Sequence, residues 1–227
     1  MHRCLASLVI VAALLPAGPT AAHDVPPPPR EPYRWVAPPP GVERPAPEGT
    51  VSTVELTPAG SAPATVTTPD RQAHLVLSQG AFPSRGPAEA VEVRVEPVDP
   101  RTEGPPPEGF TVDGNAYRVL AGYMPSGRPA PLSEPVTLSL QYPAHGHMLL
   151  IQDGGSWRRV RSNGLATQRV VVGVVEQTGV YVAAARPGGP GPGAAEGLPG
   201  WLLPASGAAV ILVLIGLDRV VRRRAED

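Results

Sequence analysis

The sequence predicts an all-β fold, an antiparallel β-sandwich, followed by one C-terminal transmembrane helix. Two observations predict the sandwich: between residues 50 and 185 apolar side chains alternate with polar ones in short segments, and Pro and Gly separate these segments. A third observation predicts the helix, because a charge-free apolar run of twenty residues stands near the C-terminus. Of 227 residues, 32 are Pro and 25 are Gly, which suits a folded chain only if they concentrate in linkers and turns.

The N-terminal segment, residues 1–22, is typical of a secretory signal peptide. Arg3 precedes an uncharged apolar stretch over residues 5–15, and small residues up to Ala22 offer a cleavage site. An apolar helix of this length rises only about 16 Å, too short for a hydrocarbon core of about 30 Å. Cys4 is the only cysteine, so cleavage after Ala22 would leave a mature chain without thiols or disulfides. An uncleaved anchor is the alternative.

Proline dominates residues 23–49, which favours an extended polyproline II conformation and excludes a helix or a central strand. We interpret this segment as an arm or spacer. It contains two aromatic residues, Tyr33 and Trp35, in an otherwise apolar-poor stretch. Either the arm folds back and docks both on the domain, or both belong to a segment that a partner recognises. They are the candidate partner-binding residues.

The central region, residues 50–185, is long enough for one β-sandwich and too short for two ordinary domains. In residues 91–95 the valines share one face, while Glu92 and Arg94 share the other. Two glycines in residues 153–156 predict a hairpin turn, because Gly accepts positive φ angles. The nine predicted strands are 51–56, 74–77, 91–95, 116–122, 136–142, 148–152, 157–160, 170–175 and 180–184.

Five short motifs follow one another in this region: Gly-Ala-Phe at 80–82, Gly-Asn-Ala-Tyr-Arg-Val at 114–119, Pro-Val-Thr-Leu-Ser-Leu at 135–140, Asp-Gly-Gly-Ser-Trp at 153–157 and Gly-Val-Tyr at 179–181. In this order they resemble bacterial surface proteins with a ZU5-like or immunoglobulin-like β-sandwich, over about residues 72–184. The resemblance implies that Trp157 fills the core and that Tyr181 fastens the last strand. It implies no catalytic role for any of these motifs.

The C-terminal region predicts a membrane anchor. A Pro/Gly linker at 186–197 leads into a transmembrane helix at 198–217, and a basic tail at 218–227 follows. Trp201 suits the outer interface, and the basic residues of the tail suit the cytoplasmic side. These stop-transfer residues are Arg219, Arg222, Arg223 and Arg224. The domain is thus expected outside the cell membrane.

An alternative mode of anchoring is suggested by residues 203–207, Leu-Pro-Ala-Ser-Gly, which precede apolar residues and the basic tail. They resemble the sorting signal of sortase substrates, Leu-Pro-x-Thr-Gly, at which a transpeptidase joins the protein to the cell wall. Ser206 replaces the usual Thr, and only ten apolar residues follow, about 15 Å of helix. Permanent membrane anchoring is the favoured interpretation.

The composition excludes several classes of chemistry. All 19 basic residues are Arg, which excludes Schiff-base lysines, the P-loop lysine and Ser-Lys dyads. A formal net charge of −1 argues against a nucleic-acid-binding protein. No acid–base pair is identifiable, so we expect no enzyme and no cofactor.

Histidines provide the nearest approach to a metal site, although no metal site is expected. His145 and His147 flank Gly146, and two histidines at this spacing share a face when the segment is a strand. Cleavage after Ala22 would make His23 the new N-terminus, whose amine and imidazole together chelate copper. His23, His145 and His147 are therefore the candidate copper or zinc ligands, and His74 is another possible third ligand.

The expected protein is a single-pass bacterial membrane protein whose sandwich serves as a non-catalytic binding or structural module. Arg in place of Lys, with abundant Ala, Gly and Pro, is typical of a GC-rich bacterial genome. The expected contacts are the lipid bilayer and, as possible partners, another envelope protein or a cell-wall glycan. A glycan would suit the basic run of Arg158, Arg159 and Arg161, but the favoured interpretation is an edge strand whose long Arg side chains reach solvent.

Overall fold

The computed structural model describes residues 32–86 and 88–187, and within them the chain is built from β-strands and two 3₁₀ turns. The strands are β1 (Thr50–Thr57), β2 (Gly60–Ser61), β3 (Ala64–Thr67), β4 (Ala73–Leu77), β5 (Ala90–Val98), β6 (Thr111–Met124), β7 (Arg128–Pro129), β8 (Val136–Gln141), β9 (Met148–Asp153), β10 (Ser156–Val160), β11 (Ser162–Leu165), β12 (Val170–Val175) and β13 (Gly179–Ala185). The 3₁₀ turns are Pro100–Glu103 and Ala166–Gln168.

The strands form two antiparallel sheets. The larger sheet has eight strands in the order β10-β9-β13-β6-β5-β1-β2, with β7 paired to β6, and the smaller sheet has the order β11-β12-β8-β4-β3. Inward side chains from both sheets form one buried cluster, to which β5, β6 and β8 contribute alternate residues. The predicted all-β fold with two antiparallel sheets is confirmed.

The edge position predicted for the strand at 157–160 is also confirmed, because β10 is the last strand of the larger sheet. Trp157 on this strand is only 6% exposed, but it lies in a second cluster with Leu150 and Val182. On β9, Leu149 and Ile151, which flank Leu150 in the chain, belong to the core between the sheets. Since successive side chains point to opposite faces, Trp157 lies on the outer face of the larger sheet. The expectation that it fills the core between the sheets is corrected accordingly.

All nine predicted strands occur, and four short ones were missed. The missed strands β2, β3, β7 and β11 have two to four residues each, too few for a period of two to be recognised. The predicted hairpin is confirmed: β9 and β10 pair around Gly154 and Gly155, whose φ angles are 59° and 87°. Two consecutive positive φ angles match the right-handed twist of the flanking strands.

One end of the sandwich collects several non-repetitive segments, and we call it the C-terminal pole because β13 ends there. Ala185 pairs with Thr111 at the start of β6, and Ala184 pairs with Met148 at the start of β9. The loop at 142–147 enters β9 from the end of β8, so both sheets terminate here. The turn at 68–72, Asn115 and Arg169 complete the pole. No helix in 32–86 or 88–187 is both long and apolar enough to cross a bilayer, and the predicted signal peptide and transmembrane helix lie outside these residues.

Candidate functional site at the C-terminal pole

The proline-rich arm is held at the C-terminal pole by two side-chain carboxamides. Asn115 accepts a hydrogen bond from the Val36 N–H at 2.9 Å and donates from Nδ2 to the Arg34 carbonyl at 2.8 Å. Gln72 accepts from the Arg34 N–H at 3.0 Å and donates from Nε2 to the same carbonyl at 3.1 Å. Because these bonds reach only the backbone of the arm, they fix its position without depending on the side chain of Arg34.

Tyr33 anchors the arm by its side chain. Its hydroxyl accepts a hydrogen bond from the Asn115 N–H at 2.8 Å, and burial raises the pKa of the phenol above its usual value. Gly114, with φ +109°, provides the space: an added Cβ there would lie 2.5 Å from the Tyr33 hydroxyl. Tyr117 is fully buried, and its hydroxyl has no hydrogen-bond partner among the described residues.

A buried carboxylate organises the turn that carries Gln72. Asp70 is 5% exposed, and its Oδ1 accepts from the Thr68 hydroxyl at 2.7 Å and from the Gln72 N–H at 3.1 Å. Its Oδ2 accepts from the Glu48 N–H at 3.2 Å, at the end of the arm. Glu48 in turn forms an exposed ion pair with Arg34, with 2.8 Å between Nη1 and Oε1. Both ends of the segment at 34–48 are thus fixed to the same turn.

Of the two outcomes left open for the arm, the structure shows the docked one for residues 33–36. Tyr33 and Trp35 pack edge to face, with ring centroids 5.0 Å apart, and Trp35 remains half-buried. Val36 beside it is 37% exposed. Docking on the domain therefore accounts for the presence of Tyr33 in the arm. It leaves part of Trp35 and of Val36 in contact with solvent, where a partner can reach them.

The loop that carries His145 and His147 is folded around a carboxylate. Asp113 Oδ2 accepts hydrogen bonds from the backbone N–H groups of Ala144 at 3.2 Å, of His145, and of Gly146 at 2.6 Å. Three converging N–H groups form an anion-binding nest, and here a side chain of the same domain fills it. The hydrogen bonds from Gly146 and its neighbours to Asp113 therefore join this loop to β6.

The histidines do not form a metal site within the described part of the chain, where no group of three or more potential ligands is present. His147 Nδ1 lies 3.2 Å from the carbonyl oxygen of His145. His23 lies outside the described residues, so the proposed set of three ligands stays a prediction. His74 is engaged elsewhere: Nε2 lies 3.0 Å from the Arg71 carbonyl and Nδ1 lies 3.1 Å from the Thr67 hydroxyl.

The tautomer of His74 follows from these partners. A carbonyl oxygen only accepts, so Nε2 carries the proton and Nδ1 accepts from the Thr67 hydroxyl. Burial lowers the pKa of His74 below its usual value, since desolvation disfavours the charged ring. The neutral ring thus supports the turn at 68–72 that holds the arm.

Two arginines of the C-terminal pole have an uncommon backbone conformation. Arg71 has φ 58° and Arg169 has φ 53°, and they are the non-glycine residues with positive φ among those described. They flank the end of β8, because the Gln141 N–H donates to the Gln72 carbonyl and the Tyr142 N–H donates to the Arg169 carbonyl. Arg169 also donates from Nη1 to the Pro143 carbonyl at 3.0 Å, and both arginines are exposed.

The remaining predicted site residues are distributed away from this pole or outside the described residues. Arg158 on the edge strand β10 lies 3.6 Å from Asp153 in an exposed ion pair, and Arg159 shares the outer face with Trp157. The membrane-anchor residues, Trp201, Arg219, Arg222, Arg223 and Arg224, and the sortase-like segment at 203–207 lie outside the described residues, and these assignments stay predictions.

The residues that hold the arm were not found from the sequence. Asn115 and Gln72 are single polar residues within or beside strands, and nothing in their spacing relates them to residues 33–36. The one available signal was the pair of aromatics in the arm, which required a packing site. Comparison with known proteins adds no assignment, since no protein-family model matches the chain and the search of curated proteins gave no match.

Proposed function

We propose that the chain is a single-pass membrane-anchored protein of the bacterial cell envelope, with its β-sandwich outside and its basic tail in the cytoplasm. The observation that carries the proposal is the position of the folded domain. Its last strand ends at Ala185, and the twelve residues 186–197 separate it from the charge-free run at 198–217. Its N-terminal arm follows a segment typical of a signal peptide.

We propose that the sandwich acts as a non-catalytic binding or structural module. The supporting features are a core filled by side chains, a polar network devoted to holding the arm, and a composition without Lys and without Cys beyond position 4. A relation to ZU5-like or immunoglobulin-like sandwiches is part of this proposal. Tyr181 supports it, since its hydroxyl donates to the carbonyl of Gln177 four residues upstream, as in the tyrosine corner of such folds.

The proposal is tested by expressing the full chain with a C-terminal tag in a bacterial host. We expect the tagged protein to remain in membranes after alkaline carbonate extraction and to begin at His23 when its N-terminus is determined by mass spectrometry. External protease should cleave the domain but not the tag in osmotically protected spheroplasts. Release of the protein by carbonate, or protection of the domain from external protease, would contradict the proposal.

A further inference from the structure

The C-terminal pole is the end of the sandwich from which the chain leaves toward the apolar run. Ala185 ends β13 at this pole, and Arg186 follows, with its guanidinium carbon 5.1 Å from the centroid of the Phe110 ring. The linker at 186–197 has twelve residues and reaches at most about 40 Å when fully extended. If the apolar run spans the membrane as proposed above, this pole is the part of the domain nearest to the lipid headgroups.

The pole presents two exposed arginines on either side of one strand end. Arg71 and Arg169 stand on either side of the end of β8, and neighbouring strands lie about 4.8 Å apart, so their backbones are about 10 Å apart. A left-handed backbone at a non-glycine residue carries strain, and such positions occur frequently at functional sites. Both arginines project from turns and not from a sheet face, which leaves their guanidinium groups exposed.

The carboxylates of the pole are mostly occupied within the protein. Asp70 is buried and accepts at least three hydrogen bonds, and Asp113 fills the nest of three N–H groups. Glu48 pairs with Arg34. Arg71, Arg169 and Arg186 are exposed, and none of the three forms a salt bridge with the described residues. These three guanidinium groups are positive charges that solvent or a ligand can reach, whereas Asp70 and Asp113 keep their negative charges within the network of hydrogen bonds.

Partly exposed apolar groups lie beside these cations. Trp35 is half-buried and Val36 is 37% exposed, and both are fixed by the carboxamides of Asn115 and Gln72. Indole rings favour the boundary between lipid headgroups and hydrocarbon, and arginines favour anionic headgroups. Aromatic and cationic groups thus lie together at the end of the domain where β13 ends.

We propose that the C-terminal pole docks on the anionic phospholipid surface of the membrane that anchors the chain, with Arg71 and Arg169 binding headgroup phosphates and Trp35 entering the interface. This inference rests on the proposed membrane anchoring. It assigns a role to the docked arm, which positions Trp35 for the lipid, and it leaves the opposite end of the sandwich pointing away from the membrane, where partners approach.

The experiment uses the full chain in lipid nanodiscs that contain either phosphatidylglycerol with phosphatidylcholine or phosphatidylcholine alone. With Cys4→Ser the chain has no cysteine, so a single fluorophore can be placed at Ala144→Cys on the C-terminal pole or at Gln79→Cys at the opposite end, both exposed positions. Lipids with a spin label on the headgroup quench fluorophores that touch the surface. We expect strong quenching at position 144 in anionic discs, weaker quenching in neutral discs, and none at position 79.

The decisive variant is Arg71→Gly with Arg169→Gly, because glycine accepts φ near +55° without strain; besides the two charges it removes one hydrogen bond, from Arg169 Nη1 to the Pro143 carbonyl. One basic residue contributes about a 5-fold preference for an anionic surface, so the double variant should lower the equilibrium constant for docking about 25-fold. The matched control, Arg85→Gln with Arg128→Gln, removes two exposed arginines at the opposite end and should change nothing. Circular dichroism verifies that each variant is folded.

The outcomes separate the two proposals. If the chain does not incorporate into discs or is removed from membranes by carbonate, membrane anchoring is wrong and the docking falls with it. If the chain is anchored but position 144 is quenched no more than position 79, or if the double glycine variant docks as well as the wild type, docking alone is overturned.

Discussion

Asn115→Ala is the substitution that tests most directly whether the arm belongs to the folded domain. The change removes two hydrogen bonds, to the Val36 N–H and to the Arg34 carbonyl. Each contributes about 1 kcal/mol net to the free energy of unfolding. The Arg34 carbonyl keeps a second donor in Gln72, and the Val36 N–H belongs to a residue that is 37% exposed, so water can replace the lost acceptor. No group is left buried without a partner, and we expect a loss of about 2 kcal/mol.

The assay is urea unfolding of the full chain in detergent, followed by circular dichroism. Asn163→Ala is the matched control, because Asn163 lies on β11 and its side chain makes none of the hydrogen bonds that the structure describes; we expect a change within about 0.5 kcal/mol. Gln72→Ala alone should also destabilise, since Gln72 holds both backbone groups of Arg34. The double variant should lose less than the sum of the two single ones, because the second substitution acts on an arm that has already detached.

The reasoning would be refuted by an Asn115→Ala variant as stable as Asn163→Ala. If the losses in free energy of unfolding from the Asn115 and Gln72 substitutions simply added in the double variant, the narrower claim that both residues hold one segment would be refuted. Limited proteolysis provides an independent readout: in Asn115→Ala, cleavage within residues 37–47 should become faster, while cleavage at the hairpin of residues 153–156 should be unchanged.

Three further predictions concern other parts of the domain. Tyr181→Phe should lower the free energy of unfolding by about 1 kcal/mol, because it removes the hydrogen bond to the Gln177 carbonyl. Tyr117→Phe removes no hydrogen bond seen in the structure and should be neutral or stabilising. Equal effects of the two variants in thermal unfolding would contradict these hydrogen-bond assignments. Gly114→Ala should displace the arm and lower the free energy of unfolding by more than about 2 kcal/mol, whereas Gly154→Ala, with open space around its Cβ, should lower it by about 1 kcal/mol. Urea unfolding compares the two variants. A Gly114→Ala variant of unchanged stability would show that Tyr33 does not lie against Gly114. Because the fold favours the neutral ring of His74, the free energy of unfolding should fall as the pH drops below about 6.5 toward the lowered pKa of the folded state. His74→Gln should make the free energy of unfolding less dependent on pH in this range. An unchanged pH dependence would exclude His74 as its source.

The strands were predictable because their signal is local. In β5 and β8 every second residue is apolar, and this period of two is sufficient to assign both the strand and its inward face. The hairpin at 153–156 was predictable for the same reason, since two adjacent glycines define the turn. Trp157 shows the limit of such reasoning: its burial was expected, but the face of the sheet on which it lies depends on the segment that covers it, where its Nε1 donates to the Gly104 carbonyl at 3.1 Å.

The arrangement of the pole was not predictable, because its contacts join residues that are distant in the chain. The bonds between the arm and Asn115 connect residues about 80 positions apart, and those to Gln72 connect residues 38 apart. The nest around Asp113 likewise joins segments more than 30 residues apart. Single polar residues carry no periodic pattern, so the sequence offers no means to pair them before the sheets are assembled.

The all-β class could be predicted from local patterns, because it depends on neighbouring residues. The same holds for the inward faces of the long strands and for the arm with its two aromatics. The sequence also predicts the signal peptide and the transmembrane run on the same local grounds. Three features, in contrast, are seen in the folded domain alone: the arm is bound by two carboxamides, His145 and His147 lie in a loop held by a carboxylate, and two arginines with positive φ share one pole. These features depend on which strand ends meet, and hydrogen bonding across the assembled sheets decides that.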